Sequence, residues 1–192
     1  MVDTPSPIRS VCVYCGSSMG ENPLYAEQAA SLGQLLAEAD IRLVYGGGSI
    51  GLMGVIAKNV LAHGGAVLGI IPEFLKAHER VAAAGDLEGA ELQVVPDMHT
   101  RKRLMFEEAD AFVAMAGGIG TLEELVEMMT WAQLGRHEKP IALLNTNGFW
   151  HAFDELVNDM ASAGFVHNHQ RIKPVLVDGP EEILAALGVT PS

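Results

Sequence analysis

Short apolar runs alternate with longer amphipathic stretches along nearly the whole chain, and this alternation constrains the fold more than any other feature. The strand-like runs are Ser10–Cys15, Arg42–Tyr45, Ala66–Ile71, Leu92–Val95, Ala111–Met115, Ile141–Leu144 and Val175–Val177. Helical patterns lie between or after them, at Leu24–Ala39, Ile50–His63, Arg101–Glu108, Leu122–Leu134, Trp150–Ala163 and Glu181–Leu187. The strand runs are built from Val, Ile, Leu and Ala with little polar alternation, the pattern of strands covered on both faces. Repetition of strand and helix predicts an α/β fold, a doubly wound parallel sheet with right-handed crossovers and helices on both faces. The 192 residues are enough for one well-filled core and short for two. With no internal repeat and no linker, we expect a single domain over 1–192, with 1–7 and 188–192 as loose tails. The stretch Leu75–Glu91 reads as a short helix and an excursion over the top of the sheet, a lid.

Charge narrows the partners. A formal net charge of −12 repels nucleic-acid polymers and anionic membranes, because polymer binding is driven by phosphate neutralisation. No apolar run reaches the length of a membrane span. The opening residues MVDTPSPIRS have no basic region followed by an apolar one, so no secretory leader is expected, and the location predicted is cytoplasmic. Cys12 and Cys15 have C-x-x-C spacing. In an extended segment, residues three apart point to opposite faces, so this reads as one core thiol and one at the strand end, and not as a redox pair.

Three of the predicted strands end in glycine-rich turns that lead into helices: Cys15-Gly16-Ser17-Ser18, Tyr45-Gly46-Gly47-Gly48-Ser49-Ile50-Gly51 and Ala116-Gly117-Gly118-Ile119-Gly120-Thr121. Each offers backbone N–H groups at the positive end of a helix, where an anion can approach closely. One such turn is ordinary strand-to-helix punctuation. Three on one edge of a parallel sheet point to a nucleotide or sugar-phosphate site in the crevice at the strands' carboxyl ends. Gly46, Gly48 and Gly51 also satisfy G-x-G-x-x-G, with Glu73 where an acidic ribose ligand of a dinucleotide site would stand. Against that alternative, the motif follows the second strand and no separate substrate domain exists.

Two charged features flank these turns. Arg101, Lys102 and Arg103 are consecutive at a predicted helix start in an otherwise acidic chain, where cations oppose the helix dipole. Arginine there supplies forked contacts to phosphate. Thr121 and Glu124 fit a capping box, with Thr121 as N-cap and Glu124 three residues on. The same placement aims a carboxylate at the crevice, with Glu123 and Glu127 nearby to influence its protonation. His99 is close to Arg101. His167-Asn168-His169 lacks a third ligand and reads as a surface loop rather than a metal site.

In order and spacing, CGSS, GGGSIGLMG, MHTRK and GGIGTLEE resemble the Lonely Guy family, over most of the chain from about Val11 to beyond Leu144. Members are cytokinin riboside 5′-monophosphate phosphoribohydrolases, once catalogued as possible lysine decarboxylases. The family pattern at the third turn is P-G-G-x-G-T-x-x-E. Ala116 stands here in place of the proline, which removes a rigid turn residue but no functional side chain. The resemblance implies a Rossmann-like homodimer that hydrolyses the N-glycosidic bond of an N6-modified adenosine 5′-monophosphate, or of AMP itself, without metal or organic cofactor. It puts the catalytic pair on Arg101 and Glu124. It puts substrate contacts at Gly16, Ser17, Gly46, Gly47, Gly48, Gly51, Met98, Lys102, Gly117, Gly118, Gly120 and Thr121. Two rivals remain: a module that binds or senses a nucleotide without turnover, and a pyridoxal-phosphate decarboxylase, which needs a Schiff-base lysine that none of the five lysines convincingly supplies.

Overall fold

In a computed structural model of the protein, residues 7–76, 87–166 and 173–189 are described. They contain one seven-stranded, all-parallel sheet. The strands are β1 (Ser10–Tyr14), β2 (Arg42–Tyr45), β3 (Val67–Pro72), β4 (Glu91–Val95), β5 (Ala111–Ala114), β6 (Ile141–Leu144) and β7 (Val175–Val177). The helices are α1 (Leu24–Glu38), α2 (Gly51–Ala62), α3 (Met98–Glu107), α4 (Ile119–Gln133), α5 (His151–Ser162) and α6 (Ile183–Ala186). The doubly wound expectation holds, and each predicted strand is present to within a residue at either end. Most of the lid expectation falls on residues outside those described, as does His167-Asn168-His169. No helix among the described residues is long and apolar enough to cross a membrane.

Burial on both faces explains the unbroken apolar runs. Side chains of β1 alternate strictly: Val11, Val13 and Cys15 join the core beneath α1, α2 and α6, whereas Cys12 and Tyr14 join the core beneath α3, α4 and α5. The two thiols therefore sit in opposite layers, both buried and free. Burial first, and then the negative charge of Glu124, pushes both well above the ordinary thiol range. A thiol held protonated in an apolar layer is a poor nucleophile, so the C-x-x-C spacing carries no redox function.

The strand order is β4-β3-β2-β1-β5-β6-β7. The chain winds outward from β1 in one direction through β4, then returns to the other side of β1 with β5. The reversal leaves a crevice between the carboxyl ends of β1 and β5, the position at which such sheets bind ligands. The turns after β1 and β5 meet across it, with the Gly16 N–H donating to the Ala116 carbonyl at 3.0 Å.

Candidate active site

The crevice opens into a cleft of about 340 Å³ lined by the ends of β1, β2 and β5 and the first turns of α3 and α4. Of the residues expected at a site, the cleft collects Arg101, Glu124, Ser17, Gly46, Met98, Gly118, Gly120 and Thr121. Gly16 and Gly117 face a smaller hollow on the far side of the β1 and β5 turns, together with Tyr25, Leu52 and Phe149. Gly47, Gly48, Gly51 and Lys102 line neither. Val13, Tyr14, Cys15, Met53, Leu75, Ile119 and Glu123 line the cleft without having been anticipated. Val13 and Cys15 carry the one available signal, since the last residues of a central strand reach the crevice of any doubly wound sheet.

The three consecutive cations separate into three roles, because successive helical residues are turned by about 100°. Arg101 is buried in the cleft at 5% exposure, donating from Nη2 to the Gly46 carbonyl at 3.1 Å with Nη1 3.8 Å from Met98 Sδ. Lys102 turns toward α4 and pairs with Glu123 at 2.5 Å and Glu127 at 3.2 Å. Arg103 lies in solvent, paired with Glu107 one turn along its own helix at 3.1 Å. The expectation that this run opens the helix needs correcting. The helix starts three residues earlier, at Met98, with Asp97 as its N-cap accepting from the Thr100 N–H at 2.8 Å. That hydrogen bond holds the Asp97 carboxyl below its ordinary range. The resulting anion offsets the dipole, so Arg101 meets less opposition than the sequence suggested.

Gly46 is required here. A Cβ on it would lie 2.0 Å from Arg101 Nη2 and 3.1 Å from Met53 Sδ. The bare backbone is what lets the guanidinium lie flat against the end of β2.

The second glycine turn is not the open cradle expected. Gly51 has φ +61°, and a Cβ there would fall 2.3 Å from the Ser17 carbonyl carbon. The turn after β1 is pressed onto the start of α2, and the N–H groups of Leu52 and Met53 both donate to the Gly16 carbonyl, at 3.1 and 3.4 Å. The α2 amides are thus consumed internally. The G-x-G-x-x-G match therefore works in packing, and Glu73 is exposed and pairs with Lys76 at 3.3 Å. The dinucleotide alternative loses both its supports.

The third turn differs. α4 begins at Ile119 with Gly118 as N-cap, and no side chain caps it. The capping box is thus corrected: Thr121 is the third residue of the helix and Glu124 the sixth. The reason is steric. Thr121 is buried against Gly117, where a Cβ would stand 2.1 Å from its Oγ1, so its hydroxyl is packed inside the first turn instead of reaching over it. The first N–H groups of a helix have no partner within it. Those of Ile119, Gly120 and Thr121 belong to residues lining the cleft. Glu124, half-buried one turn further on, shares the cleft with Arg101 and adds its charge to the field that raises Tyr14 and Cys15, for both of which burial is the larger cause. His99 is exposed and lies outside the cleft. Among the described residues no group of three or more His, Cys, Asp or Glu is arranged to hold a metal ion.

The cleft therefore combines an uncapped helix start, a buried guanidinium and a carboxylate. This arrangement can take an anion at one end and stabilise a developing cation at the other.

Residues 53–187 match the family model described as "Possible lysine decarboxylase". The cytokinin riboside 5′-monophosphate phosphoribohydrolase LOG7 of Arabidopsis thaliana is 44% identical over 187 residues, which cover 97% of this chain and 84% of the relative. The probable cytokinin riboside 5′-monophosphate phosphoribohydrolase LOG4 of Oryza sativa subsp. japonica is 45% identical over 181 residues, covering 94% and 77%. Among solved structures, the structural-genomics target TM1055 superposes with a TM-score of 0.70 at 22% identity, covering 95% of this chain and 99% of that one. It shares the fold.

Proposed function

Because the chain belongs to the family described as possible lysine decarboxylases, within which its relatives are cytokinin riboside 5′-monophosphate phosphoribohydrolases, we propose that it hydrolyses the N-glycosidic bond of a nucleoside 5′-monophosphate, an N6-modified AMP by preference. The products are the free base and ribose 5-phosphate. The observation that carries this reading is the joining of Arg101, Glu124 and the uncapped start of α4 in one cleft at the β1–β5 switch point. The decarboxylase in the family's description finds no support, since no lysine lines that cleft and Schiff-base chemistry needs one.

The chemistry follows from the groups present. As the bond between C1′ and the base nitrogen breaks, the ribosyl ring gains oxocarbenium character and the base gains electron density. Glu124 stabilises the ring cation and orients the water that adds hydroxide to C1′; the water's other proton ends on the base. The 5′-phosphate caps α4 through the Ile119, Gly120 and Thr121 N–H groups, with Gly118 and Ser17 beside it. Arg101 is placed to offset charge on the phosphate or the departing base. Its burial strengthens that interaction, because a dry guanidinium is weakly screened. Pockets of about 300 Å³ and above suit ligands of this size.

Incubating the purified protein with AMP and with isopentenyladenosine monophosphate, and resolving free base by chromatography, tests the reading. We expect base release from both and faster release from the modified nucleotide. Folded protein that binds nucleotide and releases no base would make it a sensor instead.

A homodimer is also part of this proposal. Ile119 is 82% exposed and Leu134 70% exposed at the two ends of α4, with Val126 between them. Apolar surface of this kind beside a ligand cleft marks an interaction face, and a second copy of the chain would extend the cleft wall. Sedimentation at micromolar concentration is expected to give the mass of two chains; that of one chain would refute the dimer.

A further inference from the structure

Lys102 is one residue from Arg101 yet lies outside the cleft, its side chain only 13% exposed between two carboxylates of another helix. Its Nζ donates to Glu123 Oε1 at 2.5 Å and stands 3.2 Å from Glu127 Oε2. Glu123 and Glu127 are one turn apart and share a face of α4. Glu124 follows Glu123 and is turned about 100° from it, as Arg101 is from Lys102 on α3. Each of the two groups assigned to the chemistry therefore has, as its immediate neighbour in sequence, a member of an ion-paired triad that runs from Glu123 at the cleft's edge to Lys102 and Glu127, which lie outside its lining.

We propose that Lys102 is a positioning residue for the hydrolysis: it clamps α3 to α4, setting the separation of Arg101 and Glu124, and offsets the carboxylates of Glu123 and Glu127 that flank Glu124. The proposal rests on the phosphoribohydrolase reading and deepens it.

Three observations support the clamp. Its bonds join two separate helices, whereas the exposed Arg103–Glu107 pair lies within one helix and restrains nothing. Burial alone would lower the ammonium's pKa, but Glu123 and Glu127 outweigh it and raise it, so Lys102 keeps its charge between them. Lys102 and Glu127 are both largely enclosed, so removing the ammonium leaves the Glu127 carboxylate without its cation. The groups around Glu124 are Arg101 from α3, Cys12 and Tyr14 from β1, Cys15 just after it, and Glu123 and Glu127 on its own helix. Tyr14 and Cys15 are held neutral by burial. With Lys102 gone, two carboxylates close to Glu124 lose the cation that offsets them.

The test is steady-state kinetics of Lys102→Met and Lys102→Arg on isopentenyladenosine monophosphate as a function of pH. Lys102→Met is expected to lower kcat by about 10- to 100-fold, the scale of a misplaced catalytic group, with KM nearly constant and the acid limb of the rate profile displaced to higher pH. Lys102→Arg is expected to restore most of kcat, because an arginine can hold both carboxylates. A rise in KM with kcat retained would overturn the proposal in favour of direct contact between Lys102 and the nucleotide. An unchanged kcat and profile would overturn it outright. Should Lys102→Met not fold, the Glu123→Gln, Glu127→Gln double variant carries the same expectation for kcat, and full activity there defeats the clamp. A wild-type protein inactive on every nucleoside monophosphate would refute the reaction itself, and the clamp with it, before any variant is made.

Discussion

Glu124→Gln is expected to lower kcat for release of the base by about a thousandfold or more, with KM within a few-fold and the thermal midpoint unchanged. Proton transfer by a placed carboxylate contributes roughly 10²–10⁴-fold, and losing the charge that opposes a developing cation removes a further electrostatic contribution. Glutamine keeps the shape and a hydrogen-bonding oxygen, so only the charge and the basicity are removed. Glu124 is half-buried and lies six residues into α4, past the first turn that holds the helix start. Its loss therefore leaves the proposed phosphate site intact. Initial rates with saturating nucleotide, alongside a melting curve, check the expectation. Retention of a tenth of the wild-type kcat would remove Glu124 from the chemistry while leaving the overall reaction standing.

The second large effect is expected at a residue with no side chain. Gly46→Ala places a methyl 2.0 Å from Arg101 Nη2, and one of the two must move. The guanidinium is the freer partner, because the end of β2 is held by β1 and β3 on either side. We expect Arg101 to lose its bond to the Gly46 carbonyl and swing away, reducing kcat/KM by about 100-fold or more, as a displacement of an ångström or so does for a positioned group. The diagnostic measurement is the double variant. Gly46→Ala combined with Arg101→Ala should be no worse than Arg101→Ala alone, since both act through the same guanidinium. Multiplicative losses would mean that Gly46 matters for some other reason.

Much of this was legible in the chain. The apolar runs located the five inner strands because helices cover both sheet faces there, whereas the edge strand β4 is largely exposed and was readable by its place in the alternation. The glycine turns marked the sheet edge that holds the cleft, but the adjacency of β1 and β5 at the switch point is a fact of the folded sheet that no local pattern states. The site was legible in part. Arg101 and Glu124 were readable because a cation in an acidic chain and a carboxylate beside a glycine turn are both conspicuous. Helix starts were less legible. Glycine is a poor helix former, so α4 was expected to begin at Leu122 with Thr121 as its N-cap, whereas Ile119 and Gly120 enter the helix and Thr121 packs inward against Gly117. The fate of the second glycine turn was hidden for a different reason. That its α2 amides are taken by the Gly16 carbonyl depends on two turns meeting in space, and no local pattern encodes the meeting. Lys102 was similarly opaque: its partners lie some twenty residues away on another helix, and only the approach of α3 to α4 turns a basic run into three separate roles.

The interlocking of the turn after β1 with the start of α2 has a consequence for how this scaffold can diversify. Gly16, Ser17, Gly51 and Leu52 form a floor whose backbones touch with no room for a Cβ at Gly51, so Gly51 cannot take a side chain without moving the turn after β1. Variation in what the cleft accepts is thereby pushed outward to Leu75 and Ile119, apolar side chains that line the opening, whereas Met98, with its Sδ 3.8 Å from Arg101 Nη1, is tied to the guanidinium. A search for altered base preference can begin at those two positions, with Arg101, Met98 and Glu124 left as they are.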